Sequence, residues 1–328
     1  MKKQLCGWSV FFLCLLMGVA TPLLSGIVFA AEKDFPKKEI TIVINFGPAG
    51  GRDILARGVA RTMSKYVGVP IVILNEPGAG GARGLIRLYH SPPDGHTVGV
   101  GMAADIINQI IEKRDYDTRK FAYIARAQST PCFFFVKPDA PFRSLNDFKT
   151  FGKPIRHSTF SLTSNSTAAA MVLANRIGFP MVVVGGYPSS PEALVALIRG
   201  EVEFAGAVQS AAMPFVQAAQ IRPIANMFRK RSPEFPDIPT LAELGYPDLD
   251  CLTTDYWFMA PPQTPKDRVK FLEDALMKTL KDPEFLGWAK GAGVDPSPLG
   301  GEEMTKMIFS AFDLLDRYKE DILKYMKK

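Results

Sequence analysis

Two stretches of this chain combine residue types suited to holding an anion. The first is Phe46-Gly47-Pro48-Ala49-Gly50-Gly51-Arg52-Asp53, lying between the β-branched run Ile40 to Ile44 and a segment with Leu55, Val59, Met63 and Val67 at helical spacing. Glycines there let the backbone approach a ligand and turn N–H groups outward, and the helix start adds about half a positive charge. Asp53 is placed to cap free N–H groups of the first turn. The alternative is a tight turn with no ligand. The second stretch is Ser158-Thr159-Phe160-Ser161-Leu162-Thr163-Ser164-Asn165-Ser166, which leads into a helical segment from Thr167 to Ile177. Its hydroxyls and amide can donate to carboxylate oxygens, and they can equally do no more than cap the helix. Two such helix starts in two lobes, facing one cleft, would hold a ligand with separated negative groups, which is the geometry of a diacid.

No catalytic set accompanies these loops. The chain has no G-x-S-x-G and no G-x-x-x-x-G-K-[ST], and the spacing of Gly47, Gly50 and Gly51 does not make G-x-G-x-x-G. His90 and His96 sit in turn contexts, while His157 directly precedes the second stretch and is the histidine kept as a candidate ligand contact. With neither Cys-x-x-Cys nor His-x-x-x-His, a metal site is not expected, nor is a cofactor. The chain reads as a binding protein and not as an enzyme.

The elements that must carry these loops alternate. After the strand Ile40 to Ile44 and the helix closed by Gly68 come a strand from Val69 to Leu74 and a glycine-rich turn from Asn75 to Gly81. A short helix from Leu85 to His90 and a strand from Thr97 to Val100 follow. The pattern resumes after Cys132, with strands at Phe133 to Val136, Ile155 to Ser158, Met181 to Val184, Val202 to Ala207 and Ile221 to Met227. Alternation at this length implies parallel βαβ units. With a strand at Tyr256 to Ala260 and largely helical segments to Met326, the plan is an α/β protein of two lobes joined by crossover strands. Each lobe is then a sheet flanked by helices, residues 34–130 and 256–328 forming the first and 131–255 the second, with the cleft outside the carboxyl ends of the strands.

The totals agree with two domains. The chain has 328 residues, 47% hydrophobic and 22% charged, which disfavours disorder and a multi-span membrane protein. Its net charge of +6 is spread without a Lys/Arg block, so nucleic acid is not an expected partner. Lys2 and Lys3 precede an uncharged stretch from Gln4 to Ala31 that ends in Val28-Phe29-Ala30, the form of a cleaved signal peptide over residues 1–30. An N-terminal membrane anchor is the alternative. Cleavage removes two lysines and no acids, lowering the charge to +4, and leaves only Cys132 and Cys251 in a compartment that permits disulfides.

Taken in order, several segments resemble the extracytoplasmic solute receptors of the tripartite tricarboxylate transporters, the Bug receptors. Phe35-Pro36-Lys37-Lys38 is similar to their mature N-terminus, Gly47 to Arg57 to their first ligand loop and helix, and Asn75-Glu76-Pro77-Gly78-Ala79-Gly80-Gly81 to their N-R-P-G-A-G-G turn. Pro93-Asp94-Gly95-His96-Thr97, Tyr116-Asp117, Gly200-Glu201-Val202-Glu203 and Pro236 to Gly245 also fit. The resemblance covers nearly the whole mature chain. It implies a periplasmic, type II binding fold, monomeric, that closes on a small carboxylate and delivers it to a two-component membrane permease. A periplasmic sensor signalling to a membrane receptor is the alternative. Backbone N–H groups of Phe46 to Asp53 and of the Ser158 to Asn165 loop would grip the carboxylates, the second loop carrying side chains where the family usually has glycines. Arg52, Arg83, Arg126 and Arg156 lie on or near these loops, and each is open to two roles, a bidentate grip on a ligand carboxylate or an ion pair with Asp or Glu. Cys132 and Cys251 flank the inferred crossover strands, so a disulfide there stands as a hypothesis against two buried thiols.

Overall fold

In the computed structural model, which describes residues 35–112 and 114–326, two mixed sheets carry the chain. The expected signal peptide lies outside the described residues. The first half runs β1 (Ile40–Ile44), α1 (Gly51–Val67), β2 (Ile71–Asn75), α2 (Ala82–Tyr89), β3 (Thr97–Gly101), α3 (Ala103–Ile111) and β4 (Ala122–Thr130). After a single residue, Pro131, the chain enters β5 (Cys132–Val136) and continues through β6 (Ile155–Ser158), α4 (Asn165–Ile177), β7 (Met181–Val184), α5 (Ser190–Ile198), β8 (Phe204–Val208), α6 (Gln209–Gln217) and β9 (Arg222–Asn226). It returns by β10 (Thr254–Ala260) and finishes with α7 (Lys266–Thr279), α8 (Pro283–Ala292), β11 (Pro296–Gly300), α9 (Gly301–Arg317) and α10 (Lys319–Met326).

The six-stranded sheet has the order β11-β4-β10-β3-β1-β2 and the five-stranded sheet β7-β6-β8-β5-β9. The βαβ units are parallel, as β1 is to both β2 and β3 and β6 is to both β7 and β8. The crossover strands make each sheet mixed. β10 runs antiparallel to β3 and β4, and β5 runs antiparallel to β8 and β9, because a chain that leaves one sheet for the other must return in the opposite sense. Within each parallel trio the carboxyl ends of the strands lie along one edge, so the loops after β1, β2 and β3 gather there, as do those after β6, β7 and β8.

Alternation along β5 explains how the second sheet is covered on both faces. Cys132, Phe134 and Val136 join one apolar cluster while Phe133 and Phe135 join another, and all three phenylalanines are fully buried. Each such ring contributes about 1.5–3 kcal/mol of burial. The cluster that holds Phe134 also includes Leu85 and Ile106 beside the first sheet, Ala169 and Met171 of α4, and Leu315 of α9, so the two sheets share one core. α10 lies against α4, tied by Asn175 Nδ2 donating to Asp321 at 2.7 Å and, at the residue just before α10, by Arg176 Nε donating to Tyr318 Oη at 2.6 Å. Cys132 and Cys251 are both buried free thiols rather than a bridge. Burial pushes each thiol up to about 12, and Cys251 Sγ donates to the Asp248 carbonyl at 3.0 Å.

Candidate functional site

The first loop is built around Asp53. Helix α1 starts at Gly51 with Gly50 as its cap, so Asp53 stands in the first turn and reaches back to accept from the Ala49 N–H at 3.0 Å. It also accepts from Arg57 at 2.8 and 2.9 Å and from Asn75 Nδ2 at 2.9 Å. The Arg57 guanidinium is the main cause that holds its carboxyl at about 2. Ala49 takes φ 65°, a left-handed conformation for a residue with a Cβ, and the Asp53 hydrogen bond keeps it there. Asn75 additionally donates to the Phe46 carbonyl at 3.1 Å, so the turn after β2 braces the loop after β1.

Beneath the loop lies a buried polar knot. Arg52 Nη2 is 3.1 Å from Asp105 Oδ1, Arg52 Nη1 donates to Asn45 Oδ1, and Asn45 Nδ2 donates to Asp105 at 3.2 Å. Asp105 closes the ring by accepting from the Met102 N–H at 2.9 Å at the start of α3. The Arg52 guanidinium also sits 4.7 Å from the centroid of the Phe46 ring. What this leaves facing outward is Phe46, Pro48, Ala49, Gly50 and Gly51, with Gly47 half-buried, while Arg52 and Asp53 point in and hold the shape.

The second loop divides in the same way. Ser158, Thr159, Ser164 and Asn165 are buried, Ser161 and Thr163 are half-buried, and Phe160 is exposed. Ser158 Oγ donates to the Ala193 carbonyl at 2.7 Å, and Ser164 Oγ caps α4 by accepting from the Thr167 N–H at 3.3 Å. Thr159 Oγ1 donates to the Ser161 carbonyl at 2.7 Å and receives Thr167 Oγ1 at 2.7 Å. Ser161 Oγ and Thr163 Oγ1 face each other at 3.1 Å, and a pair of hydroxyls sharing one hydrogen bond has a second proton left to donate. His157 is a core residue, packed 4.5 Å from the Phe204 ring centroid with Nε2 3.4 Å from Thr167 Oγ1. Full burial pushes its pKa down to about 3, so it is neutral and does not face the loop's exterior.

Each of the four arginines has a carboxylate of this chain beside it. Arg52 pairs with Asp105, Arg83 with Glu76 at 2.5 Å, Arg126 with Asp255 at 3.4 Å and Arg156 with Glu203 at 2.7 Å. Asp255 also accepts from Thr253 Oγ1 at 2.9 Å and from Ser129 Oγ, a buried network at the root of β10. The ion-pair role is thus the one observed for all four.

Two contacts absent from the sequence argument connect the loops. Asn165 Nδ2, at the first turn of α4, donates to the Thr253 carbonyl at 2.7 Å. A Cβ at Gly51, the first residue of α1, would lie 2.9 Å from Tyr256 Oη. Both helix starts, one from each sheet, therefore meet the same short segment at the entry to β10. Nothing in the local sequence around Tyr256 marks it, because its neighbour Gly51 is distant along the chain.

The fold has known counterparts. Residues 55–322 match the family model for the tripartite tricarboxylate transporter family receptor. The chain belongs to that family. The receptor is 25% identical over 290 residues to the protein BugT of Bordetella pertussis, covering 83% of this chain and 86% of that one. Its fold superposes on a TctC solute binding protein from Polaromonas with a TM-score of 0.77, at 21% identity, covering 88% of this chain and 99% of that one. It also matches MatC from Rhodopseudomonas palustris with bound malate, TM-score 0.65 and 24% identity, over 88% of this chain and 100% of that one. Family and fold are those of solute-binding receptors and not of enzymes. Among the described residues no helix is long and apolar enough to cross a membrane, and no cluster of His, Cys, Asp and Glu could hold a metal ion.

Proposed function

We propose that this receptor captures a small carboxylate between its two lobes in the periplasm, after removal of residues 1–30, and hands it to a membrane permease of the tripartite tricarboxylate type as a monomer. The observation that carries this reading is the meeting of both loop-to-helix junctions at Thr253 to Tyr256, through Asn165 on one side and Gly51 on the other. The outward N–H groups of Gly50, Gly51 and Arg52 at the start of α1 would take one end of the anion, with Phe46, Gly47 and Pro48 as its wall. The Ser161 and Thr163 hydroxyls would donate to the other end, beside Phe160. Asp53 and Ala49 set the first loop's shape, while Ser158, Thr159, Ser164 and Asn165 set the second's. That MatC of the same fold is described with bound malate supports a carboxylate as the ligand class.

The test is ligand-induced stabilisation across a panel of organic acids. A receptor gains stability in proportion to the logarithm of free ligand above its Kd and returns the ligand unchanged. A melting temperature that rises with one acid and not with neutral analogues supports the reading. A flat response across monocarboxylates, dicarboxylates and tricarboxylates rejects it.

A further inference from the structure

We infer that the corner where α9 meets α10 is an interlobe strap, which fixes how far apart the two loops stand. The inference goes beyond the proposed function and holds whichever acid the receptor takes.

The last two helices are held from both sides of the molecule. α9 starts on the six-stranded sheet: Gly301, its first residue, lies so close to β4 that a Cβ there would stand 2.6 Å from the Tyr123 carbonyl oxygen, and its N–H donates to Glu273 of α7 at 3.0 Å. At the far end of α9, Arg119, just before β4, pairs with Asp316 and lies 3.9 Å from the Phe312 ring centroid. Tyr318 is then taken from the other side. Arg176, near the end of α4, donates to its hydroxyl and lies 5.0 Å from its ring centroid, while Nη1 of the same guanidinium donates to Asp248 at 2.7 Å. Asp316 and Tyr318, two residues apart, are thus gripped from opposite directions. Two residues span at most about 7 Å, so the lobes cannot part at this corner unless one grip breaks. Asn175 on Asp321 reinforces the second grip a helical turn further on.

The strap reaches the loops through α3 and α4. α10 touches both helices, and its Ile322 is buried in the core they share. The first turn of α3 carries Asp105, the acid beneath the first loop, and the first turn of α4 carries Asn165, which reaches Thr253. α4 has 13 residues, a rigid rod of about 20 Å, so holding its rear at Asn175 and Arg176 aims its front. A contact shifts a conformational equilibrium only towards the arrangement in which it is made, and here that is the one where both loop-to-helix junctions meet the entry to β10.

The experiment is double electron–electron resonance on the ligand-free mature protein, spin-labelled through Lys153→Cys and Lys281→Cys. Both positions are exposed, one on each lobe, and the native thiols are buried. The parent is compared with Tyr318→Phe/Asp321→Ser and with Arg119→Gln, which free the corner from opposite sides. In both variants, distances outside the parent's main peak should gain population roughly three- to tenfold, the factor that one such hydrogen bond is worth. None of the three altered side chains is buried, so melting temperatures should stay within about 4 °C of the parent. A distance distribution unchanged in both variants, with or without a lower melting temperature, overturns the inference and leaves α10 as a stabilising helix only. A change in one variant alone also overturns it, because the strap needs both grips. No ligand is added, so failure here leaves the carboxylate reading standing, and failure of that reading leaves the strap.

Discussion

Arg52 and Asp105 form an ion pair at 3.1 Å with both side chains almost wholly buried, and the pair lies directly under the first loop. Of the two roles the sequence leaves open for Arg52, a grip on a ligand or an ion pair within the chain, the side chain takes the second and forms part of the loop's foundation. Removing one partner of such a pair leaves a charge buried without compensation, which costs about 3–5 kcal/mol. Arg52→Met should therefore lower unfolding stability by about that amount in urea titration. Adding Asp105→Asn should recover part of the loss, and a double-mutant cycle that instead finds the two effects additive would remove the pair from this account.

Asp53 gives a second, pH-dependent handle on the same loop. Its folded pKa of about 2 lies below the unfolded value of 3.8, so the stability it contributes is present above pH 4 and is lost as pH falls towards 2. With allowance for its partly exposed partner Arg57, this is on the order of 1–2 kcal/mol. Asp53→Asn should be less stable than the parent at pH 7 and nearly equal to it at pH 2. Because asparagine keeps one neutral oxygen where the carboxylate offers two charged ones to Ala49, Arg57 and Asn75, the Ala49 hydrogen bond weakens and amide exchange there should also accelerate in the variant.

His157 adds to the same acid sensitivity by a different route, since here the fold favours the neutral form. Its folded pKa of about 3 lies below the usual 6.5, so the unfolded chain binds a proton that the native state refuses. Stability should fall as pH drops from about 6.5 towards 3, by up to about 1.4 kcal/mol for each pH unit. His157→Leu keeps an apolar group between Phe134 and Phe204 and should flatten that slope by close to one proton. An unchanged slope in chemical denaturation at several pH values would show that the histidine protonates in the folded state.

These three residues also mark what a single sequence can convey. The run Ile40 to Ile44, the cap Gly68 and the polar start of α4 are local signals, and the elements they announce are where periodicity and capping put them. Both candidate loops are equally legible, since glycines after a strand and hydroxyls before a helix declare themselves within nine residues. Their division into inward and outward faces is not. Asp105 sits 53 positions from Arg52 and Asp255 sits 129 from Arg126, so the choice between gripping a ligand and pairing within the chain is made by partners that only the fold brings near. His157 is misjudged from sequence for a related reason, as β6 alternates and sends it inward while its neighbour Arg156 faces out. The thiols of Cys132 and Cys251 flank the crossover segments, yet both are buried and they remain unbridged.

A close approach between α1 and β10 supplies the test that separates a ligand loop from a mere turn. Gly51 is exposed at the first position of α1, and a methyl group there would stand 2.9 Å from Tyr256 Oη and 3.5 Å from the ring. Alanine favours a helix over glycine by up to about 1 kcal/mol, which offsets the shift of the Tyr256 hydroxyl that a 2.9 Å approach requires, so Gly51→Ala should change stability little. If the loop's N–H groups take the carboxylate, the same methyl must displace either the tyrosine or the anion, and affinity for the best-binding acid should drop roughly three- to tenfold. Removing the hydroxyl with Tyr256→Phe in the Gly51→Ala background frees the space the methyl needs, because the remaining ring atoms are at ordinary contact distance. Affinity should then recover at least in part, while Tyr256→Phe alone should have a smaller effect than Gly51→Ala. Stability unchanged together with affinity unchanged in Gly51→Ala would mean that no ligand comes near the first loop, and the carboxylate would have to be sought elsewhere.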